Sequence, residues 1–422
     1  MKVLVIGGGG KEHAIVWKLS QSRHVKKIYC CPGNAGIAEI AECIDISPYD
    51  FDALIDFIKY EWIDLTIVNA EEPLLKGVVD SVEKEGCRIL GPTKASAQIG
   101  FSRIFAKTLM RHYRIPMPEY KVFTFYPHAE DYVRLKGSPI VIKADGLVGS
   151  SGTFLAFTVE EAIDNLRLLM KDRIFGDAVK QVIIEDFLKG KEITFMVFTD
   201  GKTLAPLEVS KNHKQLFDGN LGPNTEGMGA YSPVPFITKE IETVIMDKIM
   251  RPLVKALHSE GLRYKGVLSA DILMNKEGIY VLELGCTFRD PESQTVLPRL
   301  KTDLMEISFA ITDERLSDIQ DAIEWKNEVS VCVVASSGGY PRMYQKGFII
   351  SGLEKVKKME DIFVFHAGTT YNNGDIVTSE GRVISVSAIG FDIKDARAKV
   401  YSAVEEIYFE RMHFRKDIGE IQ

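Results

Sequence analysis

A glycine-rich turn near the start of the sequence is the first feature that could do chemistry. Four glycines, Gly7 to Gly10, lie between an apolar run at residues 3–6 and a helix-like stretch that begins with Lys11. Glycines let backbone N–H groups approach a ligand, and a helix N-terminus attracts anions. A dinucleotide site would need an acid about 20 positions on, at the tip of the second strand. That strand ends at Cys30-Cys31-Pro32-Gly33 instead, so the turn predicts a phosphate site of another kind than NAD.

A second candidate phosphate contact is Lys143, the last residue of a strand-like run. A loop of small residues, 144–153, follows it. A strand lysine followed by backbone donors and hydroxyls is typical of a flexible phosphate flap. The order GxxxxGK[ST] is absent, so the loop is not a P-loop, and an ordinary hairpin turn stays open as the alternative.

Residues 185–192, Glu-Asp-Phe-Leu-Lys-Gly-Lys-Glu, follow a buried strand. A backbone hinge there could pair with the edge of an adenine, and Glu192 could accept hydrogen bonds from ribose hydroxyls. Taken alone, the segment is equally compatible with a simple domain hinge.

Two carboxylates, Asp271 and Glu283, stand on strand-like segments joined by a turn at residues 275–278. In a hairpin they would face the same side. Mg²⁺ takes one or two carboxylates plus substrate phosphates, so the pair predicts a magnesium site, with two solvated edge acids as the alternative.

The segment 212–235 is rich in Gly and Asn and predicts a loop that wraps a polar substrate, in which His213 is a binding candidate.

Those residues must be positioned by an α/β multidomain chain. Strand-like and helix-like stretches alternate over the first hundred residues, which predicts a doubly wound parallel sheet. Apolar runs predict strands at 3–6, 139–143, 266–274 and 329–336, and helical spacing predicts helices at 75–85, 94–113, 159–170 and 392–413. Further blocks divide the chain into four predicted domains: an N-terminal domain (1–103), a small lobe with its leading helix (104–189), a large lobe with the carboxylate pair (190–325) and a C-terminal α+β domain (326–422).

Composition excludes several classes. The 422 residues carry 52 Lys and Arg against 59 Asp and Glu, a net charge of −7, and 45% are hydrophobic. This is ordinary globular composition, and its acidity argues against a nucleic-acid partner. The sequence contains no run of about 18 apolar residues, so we expect no membrane-spanning helix. Its six cysteines are scattered, which predicts free thiols in a reducing compartment. We therefore expect a cytoplasmic protein, and the sequence leaves a monomer and a homodimer equally open.

Taken in order, longer motifs resemble the glycinamide ribonucleotide synthetase (phosphoribosylamine–glycine ligase) family of ATP-grasp enzymes. The resemblance covers essentially the whole chain. It rests on these segments: the glycine turn with Glu12-His13, Pro32-Gly33-Asn34-Ala35-Gly36, Glu71 with Pro73-Leu74, Gly91-Pro92, Lys143-Ala144-Asp145-Gly146-Leu147, His213-Lys214, Gly222-Pro223-Asn224-Thr225, Gly227-Met228-Gly229-Ala230-Tyr231-Ser232-Pro233 and Asp290-Pro291-Glu292 with Gln294.

The resemblance implies an ATP-grasp fold and a ligase that joins glycine to 5-phosphoribosylamine through an acyl phosphate, with ATP and Mg²⁺ or Mn²⁺. It implies ATP contacts from Arg103, Lys143, Ser150, Ser151, Gly152, Glu185, Phe187, Leu188 and Glu192. It implies substrate contacts from Gly9, Lys11, Glu12, Asn34, Glu71, His213, Lys214, Asn224, Thr225, Gly227 and Met228. Asp271 and Glu283 would hold the metal, and Arg289 and Asp290 would act at the reacting group.

Departures from the family pattern cluster at these positions. Cations of the family are replaced at Ser151, Gln215 and Thr287, whereas Arg289 stands where the family has glycine. The remaining departures are Lys11 for arginine, Arg103 for lysine, Asn212 for aspartate, Glu226 for glycine and Gly285 for asparagine.

The residues expected around the metal differ from those of the family in a way that suggests replacement of the metal ligands rather than their loss. Asp271 is placed like the metal-binding aspartate of D-alanine–D-alanine ligases, and Arg289 would restore a lost positive charge. Two alternatives to the glycine ligase stay open: a relative that joins another amino acid or amine, and a nucleotide-binding homologue without ligase activity.

Overall fold

The computed structural model describes residues 1–146, 152–176, 179 and 181–420. Its N-terminal part contains β1 (Lys2–Gly7), α1 (Gly10–Ser20), β2 (Lys27–Pro32), β3 (Glu42–Cys43), α2 (Phe51–Glu61), β4 (Leu65–Val68), α3 (Glu71–Lys76), α4 (Val78–Lys84) and β5 (Ile89–Leu90). The strands form a parallel sheet in the order β3-β2-β1-β4-β5, which confirms the predicted doubly wound arrangement. The order reverses beside β1, and ligands of such sheets bind at this switch point. The glycine turn after β1 lies there.

The stretch 94–113, predicted as one helix, forms two. They are α5 (Lys94–Phe101) and α6 (Arg103–His112). Ser102 between them has extended backbone angles, and its hydroxyl accepts a hydrogen bond from the backbone N–H of Phe105 at 3.1 Å. Ser102 therefore ends one helix and caps the next, which makes Arg103 the first residue of α6. Gly77, with φ of 98°, likewise divides the predicted helix 75–85 into α3 and α4.

The small lobe is an antiparallel sheet covered by helices on one face. Its elements are β6 (Tyr120–Phe123), α7 (Tyr126–Lys136), β7 (Ile140–Ala144), β8 (Thr153–Ala156), α8 (Val159–Met170) and β9 (Val182–Asp186), and the strand order is β6-β9-β7-β8. Ile140 and Ile142 pack with residues of α7 and α8. Because side chains alternate along a strand, Val141 and Lys143 point away from those helices, toward the rest of the molecule.

The large lobe follows. Its elements are β10 (Lys191–Thr199), β11 (Leu204–Pro206), β12 (Lys211–Asn212), β13 (Gln215–Phe217), β14 (Leu221–Asn224), β15 (Gly229–Ser232), α9 (Lys239–Ile245), α10 (Arg251–Ser259), β16 (Gly266–Met274), β17 (Ile279–Gly285), α11 (Glu292–Val296) and α12 (Leu304–Thr312). An antiparallel sheet has the order β11-β10-β16-β17. The segment 212–235 is not the open loop that its composition predicts, since it contains the hairpin β13–β14 and the strand β15.

The C-terminal part contains β18 (Val329–Ser336), α13 (Leu353–Val356), β19 (Ile362–His366), β20 (Thr369–Asn372), β21 (Asp375–Thr378), β22 (Arg382–Gly390) and α14 (Ile393–Val404). Its sheet has the order β12-β15-β18-β22-β19, so two strands that precede residue 325 complete it. The four predicted domain boundaries stay predictions. The last helix is shorter than the predicted 392–413: Asp392 caps it by accepting from the N–H of Asp395 at 2.9 Å, and it ends at Val404.

The described part of the chain contains no helix with the length and apolar character needed to cross a bilayer.

Candidate functional site

The glycine turn after β1 is shaped by Glu12. The Glu12 carboxylate accepts hydrogen bonds from the N–H of Gly9 at 2.8 Å and from the amide of Asn69 at 2.9 Å. A Cβ atom on Gly7 would lie 2.4 Å from Cγ of Glu12, so the glycine leaves room for this side chain. Burial raises the pKa of Glu12. One carboxylate oxygen thus holds the turn and the other holds Asn69, which directly follows β4, and the substrate contact of Glu12 stays a prediction.

Replacing Glu12 with Ala is expected to lower the free energy of unfolding by about 1–3 kcal/mol, because the buried amide of Asn69 and the partly buried N–H of Gly9 lose their acceptor. Urea unfolding followed by circular dichroism measures the change. Glu360, which is exposed, provides the control: Glu360→Ala should shift the midpoint little. Equal midpoints for the two variants would contradict the role of Glu12 as the support of the turn.

Asn34 connects the same turn to the C-terminal part. Its amide nitrogen donates to the carbonyls of Gly8 and His366, both at 2.8 Å. Its amide oxygen accepts from the N–H groups of Gly36 and Ile37 at 3.0 and 2.9 Å. The side chain thus uses its donors and its acceptor within the chain, and it positions the turn whether or not it also contacts a substrate.

Lys11 places a positive charge at the N-terminus of α1. Its ammonium group lies 3.6 Å from the carboxylate of Glu71 and 3.4 Å from the hydroxyl of Thr287. Burial alone would lower the pKa of Lys11, but the carboxylates of Glu71, Glu12 and Asp290 outweigh it, so the pKa is raised. Lys11 is therefore a charged group at the mouth of the turn, where an anion would bind.

Asp290 joins three parts of the chain. One carboxylate oxygen accepts from the backbone N–H of Lys11 at 3.2 Å, and the other lies 2.9 Å from Nη1 of Arg382 on β22. Arg382 was not predicted as a site residue, and no motif surrounds it in the sequence.

The cleft between the small and large lobes collects most of the predicted ATP contacts. Residues of both lobes and of the connection between them line it: Val141, Lys143, Thr153, Glu185, Phe187, Leu188, Glu192, Lys214, Asn224 and Glu283. Arg103 and Glu283 also line an adjoining pocket with Glu71 and Arg289, so Glu283 borders both spaces. Ser150 and Ser151 lie outside the described residues, whereas Gly152 is described and buried.

A buried ion pair network forms the floor of the cleft. The two oxygens of Glu185 lie 3.0 Å from Nζ of Lys107 and 3.2 Å from Nζ of Lys143. Lys143 also donates to the carbonyl of Leu282 at 3.0 Å, across the cleft. Burial lowers the pKa of Lys107. The sequence did not predict Lys107 as a site residue, because a lysine on an amphipathic helix such as α6 is usually an ordinary surface residue.

The carboxylates of Asp271 and Glu283 are cross-strand partners on β16 and β17. Glu283 lies 3.1 Å from Nε of Arg103, and Asp271 lies 3.0 Å from Nζ of Lys214. Burial would raise both pKa values, but nearby cations lower them: Lys214 and Arg289 act on Asp271, and Arg103 and Lys143 act on Glu283. Both groups are therefore ionised.

These two carboxylates fit a divalent cation unequally. Glu283 is ionised and borders both spaces, and one or two carboxylates with phosphates suffice for Mg²⁺. Asp271 is 5% exposed, and its oxygens accept from Thr194 at 3.1 Å and from Lys214 and Arg289 at 3.0 and 3.4 Å. The predicted metal role of Asp271 is a hypothesis that this geometry does not favour.

In the segment around β13–β15, Lys214 and Asn224 line the cleft. The other residues predicted there as substrate contacts are buried: His213, Thr225, Gly227 and Met228. Burial lowers the pKa of His213 to about 3, so it is neutral, and its backbone carbonyl accepts from Met228 at 2.9 Å. Thr225 donates its hydroxyl to the carbonyl of Lys214 at 2.8 Å. A Cβ on Gly227 would lie 2.5 Å from Oδ1 of Asn212.

Three consecutive segments of the chain match models of one protein family. Residues 1–100 match the phosphoribosylglycinamide synthetase N domain, residues 101–293 its ATP-grasp (A) domain and residues 330–421 its C domain. A phosphoribosylamine–glycine ligase of Caldanaerobacter subterraneus subsp. tengcongensis is 46% identical over 419 residues, which is 99% of each chain. The corresponding protein of Escherichia coli O157:H7 is 42% identical over 423 residues, 99% of this chain and 98% of that one.

Solved structures agree with the fold. The crystal structure of a phosphoribosylamine–glycine ligase from Thermotoga maritima superposes with a TM-score of 0.81 at 27% identity, covering 99% of this chain and all of that one. The N5-carboxyaminoimidazole ribonucleotide synthetase of the same organism, at 18% identity and a TM-score of 0.62 over 97% of this chain and 99% of its own, shares the fold. With matched segments that span nearly its full length, the chain belongs to the phosphoribosylglycinamide synthetase family of ATP-grasp ligases.

Proposed function

We propose that this protein joins glycine to 5-phosphoribosylamine at the expense of ATP, forming glycinamide ribonucleotide, ADP and phosphate in purine biosynthesis. The observation that carries the proposal is the position of Glu283. It borders both the interlobe cleft, which suits a nucleotide, and the neighbouring pocket next to Glu71, which suits the substrates. We also propose a cytoplasmic location, which the unpaired cysteines support.

On the nucleotide side, we assign the backbone from Glu185 to Leu188 to the adenine edge and Glu192 to the ribose hydroxyls. The cations Lys143 and Arg103, with the segment that contains Ser150, Ser151 and Gly152, are assigned to the phosphates. Glu283 would hold Mg²⁺, which neutralises phosphate charge when bound. The network of Lys143, Glu185 and Lys107 fixes the position of the Lys143 ammonium group before ATP arrives.

On the substrate side, we assign the phosphate of 5-phosphoribosylamine to the glycine turn. The N–H groups at the start of α1 and the ammonium of Lys11 supply the positive field there. Glu71 lies beside Lys11, within reach of a ribose or an amine. Gly9, Asn34 and Glu12 shape this pocket through the hydrogen bonds described above.

The chemistry follows from the weakness of a carboxylate as an electrophile. An oxygen of the glycine carboxylate attacks the γ-phosphorus of ATP, the bond to the β–γ bridging oxygen breaks, and ADP leaves. The amine of 5-phosphoribosylamine then attacks the acyl carbon, inorganic phosphate leaves, and the amine loses a proton. Phosphoryl transfer is mainly positioning and charge neutralisation, which the cations at Lys143, Arg103 and Lys214 supply without a nucleophilic side chain.

Release of ADP in the presence of 5-phosphoribosylamine and a panel of amino acids tests the proposal. We expect turnover that depends on both glycine and 5-phosphoribosylamine. Turnover with another acid or amine only would contradict the glycine assignment and favour a relative with a different substrate. Nucleotide binding without any acceptor-dependent ADP release would contradict ligase activity altogether.

A further inference from the structure

Gly285, at the end of β17, lies directly under the guanidinium group of Arg289. A Cβ atom built on Gly285 would be 2.9 Å from Cζ and 3.0 Å from Nε of Arg289, and 2.5 Å from Oγ of Ser269. A Cβ atom essentially never comes within 3.0 Å of a heavy atom to which it is not bonded, so a side chain at position 285 would force the guanidinium of Arg289 and the hydroxyl of Ser269 to shift. The glycine therefore leaves room for both the guanidinium of Arg289 and the hydroxyl of Ser269.

The guanidinium of Arg289 is held in place but keeps donors available. Nη2 donates to Asp271 at 3.4 Å, while Nε is buried and has no hydrogen-bond partner among the described residues. The Arg289 side chain is nevertheless 23% exposed, so another part of the guanidinium can donate to a ligand. Arg289 lines the pocket that also contains Glu71, Arg103 and Glu283.

That position suits a carboxylate substrate. The pocket adjoins the interlobe cleft through Glu283 and the glycine turn through Glu71, so a group in it can reach both a nucleotide and an amine. Glu71, Asp271, Glu283 and Glu292 surround Arg289 with negative charge, and an incoming carboxylate needs a cation to offset this repulsion. The planar guanidinium matches a carboxylate in geometry.

Asp271 is better explained as a support of two cations than as a metal ligand. Its oxygens accept from Lys214, Arg289 and the hydroxyl of Thr194. A metal at Asp271 would have to displace at least one of these donors.

We propose that Arg289 binds the carboxylate that becomes phosphorylated, that Gly285 is the residue that admits its guanidinium, and that Asp271 is a positioning residue that orients Arg289 without binding the metal directly. This rests on the proposed function, and it names the residues that recognise its carboxylate substrate.

Steady-state kinetics of Arg289→Ala test the first part. The KM for glycine should rise about 10- to 100-fold, the range expected for loss of a charged hydrogen bond, while the KM for ATP changes less than about threefold. Millimolar guanidinium chloride should restore part of the glycine affinity, which a purely structural role of Arg289 would not produce. An unchanged KM for glycine, or equal effects on both KM values without rescue, would overturn the assignment.

Gly285→Ala tests the second part with Ser269→Ala as its matched control, because the new methyl group meets both neighbours. Ser269→Ala should be nearly silent. Gly285→Ala should raise the KM for glycine both alone and with Ser269→Ala, and it should add little to Arg289→Ala. Rescue of Gly285→Ala by Ser269→Ala, or full additivity with Arg289→Ala, would show that the guanidinium is not the affected group.

Mn²⁺ binding in the presence of ADP, followed by electron paramagnetic resonance, tests the third part without turnover. Asp271→Asn should keep Mn²⁺ affinity within about twofold, whereas Glu283→Gln should weaken it at least tenfold. A tenfold loss with Asp271→Asn would restore Asp271 as a ligand. Lack of glycine-dependent ADP release by the unmodified protein would contradict the proposed function, whereas normal release with an unaffected Arg289→Ala variant would contradict this inference alone.

Discussion

Replacing Lys143 with Met is expected to lower kcat/KM for ATP by about 100- to 1,000-fold, the loss typical of removing one preorganised charge from a transition state. Lys143 is buried on the cleft face of β7, and its ammonium group lies between Glu185 and the carbonyl of Leu282. The γ-phosphoryl group would lose a fixed cation at the point where its charge is redistributed. Steady-state measurement of ADP release at varied ATP, with glycine and 5-phosphoribosylamine saturating, gives kcat/KM for the variant and for the unmodified protein.

The fold should survive this change because Glu185 retains its ion pair with Lys107 at 3.0 Å. Thermal unfolding followed by circular dichroism checks this. Lys121→Met is the matched control, since Lys121 is an exposed lysine on β6 of the same sheet, and it should leave kcat/KM within about twofold. A Lys143→Met enzyme with the activity of the control would refute the phosphate assignment of Lys143.

Replacing Asp290 with Asn is expected to lower the free energy of unfolding by about 2–4 kcal/mol, because Arg382 keeps its charge in a mostly buried position and loses its carboxylate. The same carboxylate accepts a hydrogen bond from the backbone N–H of Lys11 in the first turn of α1. The change therefore weakens the junction of the N-terminal, central and C-terminal parts. Activity should fall as well, since Lys11 and Arg289 adjoin this residue.

Urea unfolding measures the effect. Glu85→Gln is the control, because it breaks an exposed ion pair with Lys59 whose atoms lie 2.6 Å apart. Exposed pairs are screened by solvent and contribute little to stability, so the control should shift the midpoint little. If both variants unfold at the same urea concentration, the contact between Asp290 and Arg382 does not hold the three parts together.

Local patterns in the sequence predicted the strands that are continuous apolar runs and the helix whose apolar residues recur with helical spacing. The strands at β1, β7, β16 and β18 and the helix α8 lie within a residue or two of their predicted positions. The break at Ser102 was missed, because a serine cap inside an otherwise amphipathic stretch produces only a weak local signal. The strands at 212–235 were missed for another reason: β15 exists because β18, about one hundred residues later, supplies its hydrogen-bond partners.

The residues of the candidate site also fall into those that local motifs predict and those whose roles depend on partners distant in the chain. Residues in local motifs, such as Lys143, Glu185 and Lys214, were predicted and do line one cleft. Lys107 and Arg382 were not, since each acquires its role from a carboxylate distant in the chain. Glu12 and Asn34 show the opposite limit: the motif located them at the correct turn, but spacing alone does not reveal that their polar atoms already hydrogen-bond to other groups of the chain.

The C-terminal sheet also constrains how this gene could be divided. The strands β12 and β15 are encoded before residue 325, yet β15 pairs with the edge of β18 and β12 pairs with β15. A fragment that begins at residue 326 would carry β18 as a long, apolar and unpaired edge, the kind of surface that drives strand-to-strand aggregation. A split protein or a domain fusion made from this chain would keep its C-terminal unit intact only if the break preceded β12.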